Sequence, residues 1–152
     1  MQVDDEHFER IVALTYPVWT RDRDQTVREI NELQQQFPFT KTRVILALIA
    51  HWLVGPRLHA GQTQQQLVDL TIERTNGFTL DRELIEGAIR IGAGDASAQD
   101  EHPASGLVVG LLCVISAMLG DSPNPTNTMV SARERLAAYN LPESVDGDAS
   151  AH

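Results

Sequence analysis

The stretch Val44-Ile45-Leu46-Ala47-Leu48-Ile49-Ala50-His51-Trp52-Leu53-Val54 decides how the rest of the chain is read. Wound as a helix it is apolar on every side except at His51, so other elements must surround it. It is too short to cross a bilayer, which takes roughly 20 consecutive apolar residues. A second run, Leu107 to Leu119, is also short and is interrupted by Gly110 and Ser116. Both runs therefore read as core helices, the first stopping at Gly55-Pro56.

Amphipathic segments flank these two. Phe8, Ile11, Val12 and Thr15 share one stripe of a helix over Asp5 to Tyr16, ended by Pro17. Val27, Ile30, Leu33 and Phe37 form a narrow face of a second helix from Gln25 to Phe37, capped by Asp22 or Asp24 and stopped by Pro38. Thr40 is positioned to cap the third helix, the one that carries the apolar run. Thr63 with Gln66 makes a capping box for the fourth, which closes at Asn76-Gly77.

Thr79 opens the fifth helix, with Asp81 and Glu83 in its first turn and Leu84, Ile85, Ala88, Ile89 and Ile91 on its buried side. The sixth carries Gly106 and Gly110 one turn apart, which lets another backbone come close. The seventh runs from Thr128 to Tyr139, aligning Met129, Leu136 and Tyr139. No segment alternates in the strand manner. The expectation is an all-α, compact single-domain bundle of about seven helices around two apolar central helices, covering residues 1–142. Beyond Pro142, residues 143–152 are small and acidic and read as a disordered tail.

Composition narrows the function classes. The chain of 152 residues has 42% hydrophobic and 22% charged residues, within the globular range, and a formal net charge of −9. That charge repels phosphate backbones and disfavours nucleic acid. A helix-turn-helix reading would make Thr79 to Arg90 the recognition helix through Arg82 and Arg90, but Asp81, Glu83 and Glu86 would then face phosphate. The lone Cys113 lies in an apolar run and reads as a buried, inert thiol. An acidic N-terminus without an export signal and a single unpaired cysteine predict a cytoplasmic protein that does not enter a membrane.

The sequence contains no GxxxxGK[ST], HExxH, GxSxG or CxxC motif, so the reading leans away from an enzyme. Gly92-x-Gly94 follows a helix, where a dinucleotide loop would follow a strand. Residues 92–104 form the longest stretch without periodicity and the best candidate for a lid. Asp95, Asp100, Glu101 and His102 in it are ligand types without calcium-loop spacing, so neither a metal nor a cofactor is expected.

The remaining candidates are charged or aromatic. From Leu33 to Val68 there is no Asp or Glu, where composition would place about five. This window holds Lys41, Arg43, His51, Trp52, Arg57 and His59. Arg57 and His59 precede the fourth helix, whose free N–H groups attract anions. His51 reads either as a core histidine donating to a neighbouring helix or as the lining of a pocket beside Trp52. Two functions follow as expectations. The first is a non-enzymatic protein-interaction or regulatory module that pairs with itself or another protein. The second is a small-molecule binder or enzyme with a pocket between the apolar helices, lined by His51 and Trp52 and closed by residues 92–104; a separate anion or acidic-partner site is expected at Arg57, His59 and Lys41 before the fourth helix.

Overall fold

A computed structural model describes residues 6, 8–11, 23–37, 39–75, 81–121 and 124–138, and every regular element among them is helical. Residues 8–11 form α1. They are followed by α2 (Arg23–Gln36), α3 (Phe39–His59), α4 (Gln64–Arg74), α5 (Arg82–Gly92), a 3-10 helix (Ala96–Asp100), α6 (Ala104–Gly120) and α7 (Pro125–Ala138). The fold is all-α. No single helix among the described residues is long and apolar enough to cross a membrane.

Helix α6 is the most enclosed element. Leu107, Val108 and every residue from Leu111 to Leu119 are buried. Helices α3, α5 and α6 pack on one another, α4 covers α5 and α6, and α7 lies across α3 and α6. Two glycines permit the close contacts in this arrangement. A Cβ on Gly110 would stand 3.0 Å from the Leu84 carbonyl oxygen of α5, and one on Gly92 would stand 3.0 Å from Val54 of α3. The apolar faces of α1, α2 and α7 complete the core with Phe8, Ile11, Ile30, Leu33, Ala132 and Leu136.

Helix α3 departs from expectation at both ends. It begins at Phe39, so Thr40 lies within its first turn instead of capping it. It also runs through Gly55 and Pro56 to His59. Proline removes one N–H donor, but its φ is helical, and a single lost bond near the end of a helix can be tolerated. The true stop is Gly61, in the left-handed region at φ 107°. There the N–H groups of Gly61 and Gln62 donate to the carbonyls of Leu58 and Arg57, the paired bonds of a Schellman motif. Nor is α3 covered all round, since Val44, Ala47 and Leu48 are only half-buried and His51 is exposed.

The other termini follow local chemistry. Thr63 Oγ1 accepts from the Gln66 N–H while Gln66 Oε1 accepts from the Thr63 N–H, completing the capping box of α4. Asp81 occupies the N-cap of α5 without a side-chain bond, instead of lying in its first turn. Asp24 likewise lies inside α2. Pro125, expected in the preceding connection, is the first residue of α7, where a missing N–H costs nothing, and Asn124 Oδ1 accepts from the Asn127 N–H. Expectations at Val12, Thr15, Tyr16, Pro17, Asp22, Pro38, Asn76, Gly77, Thr79, Tyr139, Pro142 and the tail fall outside the described residues, as does the side chain of Val27.

Candidate functional site

A second Schellman motif ends α5 and builds one wall of the site. Gly94 is left-handed at φ 99°, and the N–H groups of Gly94 and Asp95 donate to Ile91 and Arg90. These bonds leave the carbonyl of Gly92, the last helical residue, to find a partner elsewhere. His51 supplies it, with Nδ1 donating to Gly92 O at 2.8 Å. That contact fixes the ring and leaves Nε2 as its second polar atom. His51 thus makes the backbone donation to a neighbouring helix expected of a core histidine, yet it is exposed and not buried.

The segment after Gly94 is not a free loop. Its centre is the 3-10 helix, with Ala98 fully buried, and Asp95 caps it by accepting from the Ser97 N–H. Arg90 reaches out from α5 to bind the carboxylates of both Asp95 and Glu101. The Ser97 hydroxyl and then the Arg90 guanidinium hold the Asp95 carboxyl below the usual carboxylate range. Glu101 first and Asp95 second push the Arg90 guanidinium further up. The His102 ring packs where a side chain on Gly87 would sit. The expected stretch without regular structure is thus corrected: its centre is a short helix anchored by the buried Ala98 and joined to Arg90. Among the described residues no three His, Cys, Asp or Glu side chains gather as a metal site.

Between α3 and this corner lies an open cleft of about 310 Å³. Val44, Ala47, Leu48 and His51 line it at the i, i+3, i+4, i+7 spacing of one helix face, joined by Arg43. Ile91, Gly94 and Gln99 form the opposite side. A pocket beside His51 was legible in the sequence, but its other wall is α5 and the 3-10 helix, not α6. The half-buried Arg43 carries a buried Nε that has no hydrogen-bond partner among the described residues.

The other candidates scatter. Trp52 turns toward α7, with the Arg135 guanidinium 5.7 Å from its ring centroid. Lys41 is buried at 8% exposure instead of presenting its charge at the surface. Arg57 reaches Asp121 Oδ2 at 2.7 Å and the Met118 carbonyl at 3.4 Å, while Arg74 takes Asp121 Oδ1 at 3.2 Å. The Arg57 guanidinium, more than Arg74, lowers the Asp121 carboxyl. Its charge is therefore committed to the C-terminus of α6, away from the start of α4. His59 is exposed at the end of α3. Arg82 is paired with Asp69 and Glu86, so both arginines of the supposed recognition helix are engaged with carboxylates.

Cys113 is fully buried, and burial pushes its thiol up to about 12. A side-chain hydrogen bond between Cys113 and Thr75 opposes that rise. Thr75 itself donates to Thr71 O at 2.6 Å, and Thr71 to Leu67 O at 2.8 Å. Of the residues at the cleft, Gly94, Gln99 and the Gly92 carbonyl belong to the stretch 92–104 expected to close the His51 pocket, while Ile91, expected only on the buried side of α5, was missed. The sequence signal for the turn was Gly94, three residues past the last apolar position of α5, where a helix-closing glycine belongs. No protein-family model, curated protein or solved structure matches the chain.

Proposed function

We propose that the chain is a non-catalytic helical binding module whose working surface is the cleft between α3 and the Gly94 corner of α5. The observation that carries this reading is the row Val44, Ala47, Leu48 and His51, an apolar helix face left partly uncovered at a concavity. Uncovered apolar surface forgoes roughly 25 cal/mol per Å² of burial. Concave apolar surface with a few polar groups at its edge is the usual character of a small-ligand site.

Binding is favoured over catalysis by the placing of the ionisable groups. Arg43 and His51 are the ionisable side chains lining the cleft, and eight residues of helix separate them by roughly 12 Å along the axis. Joint action on one bond needs groups within hydrogen-bond reach of the same atoms, about 3 Å away. Self-association finds less support. Among the described residues Val130 of α7 is the exposed large hydrophobic, whereas a stable dimer buries about 1,200–2,000 Å² in all.

A fragment library screened by amide chemical shifts on the full chain tests the reading. Hits are expected to move the amides of Ala47, Leu48 and Gly94. Ala47→Trp, which fills the cleft, should abolish those shifts without lowering Tm. Hits confined to other surfaces, or none across the library, would overturn the proposal.

A further inference from the structure

We infer that the cleft receives a monocarboxylate with a linear apolar body, its carboxylate at the Arg43 end and its chain lying along α3 toward His51. This rests on the cleft being a binding site and adds the class of occupant.

Charge is the first argument. The chain carries a formal net charge of −9, yet none of the eight residues lining the cleft is acidic, and Arg43 is the one permanent cation among them. An acidic protein that keeps this concavity free of carboxylates leaves it open to one from outside.

The second argument is the state of that cation. Arg57, Arg74, Arg82 and Arg90 each hold a carboxylate of the chain. Arg43 forms no ion pair among the described residues, and its Nε–H is shut away from solvent with no acceptor. A buried donor left unsatisfied is unfavourable. A carboxylate drawing it into the cleft would supply the acceptor in the paired geometry that arginine and carboxylate share.

The far end argues for one acid group and not two. His51 has one of its two ring nitrogens committed to Gly92 O, so the far end offers a second carboxylate a single nitrogen and no permanent cation. Val44, Ala47, Leu48 and Ile91 lie between the two ends and offer only apolar contact.

Titrating the full chain with octanoate, octan-1-ol, acetate and octanedioate, read by calorimetry and amide shifts, tests the inference. Octanoate should bind at least tenfold more tightly than octan-1-ol and more tightly than octanedioate, with acetate not saturating. Arg43→Gln should lower octanoate at least tenfold, toward the level of octan-1-ol, and Arg43→Lys should restore part of the loss. Equal binding of octanoate and octan-1-ol, or a preference that survives Arg43→Gln, overturns the carboxylate assignment and leaves the binding module standing. Octanedioate matching octanoate overturns the single head group. Should none of the four move the cleft while neutral fragments do, the inference alone falls; should no compound of any kind move it, the binding module falls as well.

Discussion

His51, in the middle of α3, closes the last turn of α5 by donating from Nδ1 to the carbonyl of Gly92 at 2.8 Å. The pairing needs the glycine as well as the histidine. Any side chain at residue 92 would meet Val54 and the Ala50 carbonyl oxygen, so only a bare Cα lets the two helices come near enough. One contact thus sets both the helix end and the back of the cleft.

Removing it should have a modest, measurable cost. His51→Leu leaves the Gly92 carbonyl without its donor at a partly wet site, where a hydrogen bond contributes about 0.5–1.5 kcal/mol. Chemical denaturation is expected to show a loss in that range, with His51→Gln recovering part of it through its amide N–H. A His51→Leu variant as stable as the parent would mean that water serves the carbonyl equally well.

Glycines in α3 and α6 should respond to alanine with opposite signs. Gly55 is helical and has nothing within 4 Å of its would-be Cβ. Gly55→Ala should therefore stabilise by roughly 0.5–1 kcal/mol through reduced freedom of the unfolded chain. Gly110→Ala drives a methyl against the Leu84 carbonyl at 3.0 Å and should destabilise by about 1–3 kcal/mol. Urea midpoints of the two variants on either side of the parent are the expected result.

Acid should erase the contribution of the Asp121 cluster. The Arg57 hydrogen bond holds the Asp121 carboxyl below its ordinary value, so the folded state binds the proton less readily than the unfolded one. The resulting stability is fully present above the unfolded value, about 3.9, and is lost as pH falls through the lower folded value. Asp121→Asn should accordingly lower Tm at pH 7, and its difference from the parent should shrink as pH drops below about 4. A constant difference down to pH 2 would show that the pair adds nothing through charge.

The thiol of Cys113 should be silent in the folded protein. Fully buried and pushed up to about 12, it holds almost no thiolate at pH 8. Iodoacetamide is expected to add no mass at that pH until denaturant is present, then one adduct per chain. Rapid labelling without denaturant would reveal an opening of the α4–α6 contact.

The helical class and the buried residues of α5 and α6 were legible because they depend on periodicity alone. The capping box at Thr63 was legible because it is a local exchange between two side chains and two nearby N–H groups. The helix ends at Gly61 and Gly94 were not. Gly55-Pro56 offers as good a stop signal in sequence for α3 as Gly61 does, and nothing local chooses between them. The cleft was half legible for the same reason. His51 announced itself as the odd residue in an apolar run, while Gly94 and Gln99 reach it only through the turn that follows α5. Arg57 misled because its partner, Asp121, lies 64 residues away.

The bare approach of α5 to its neighbours at residues 92 and 110 also bears on descent. Surface positions of this fold are free to drift, and so are most charge pairs, since an exposed pair contributes little. The crossing points are not, because a methyl group there meets the facing helix at about 3.0 Å and forces it to give. Divergent relatives of this chain should be recognisable by small residues held at 92 and 110, together with a donor at 51, long after the rest of the sequence has lost its likeness.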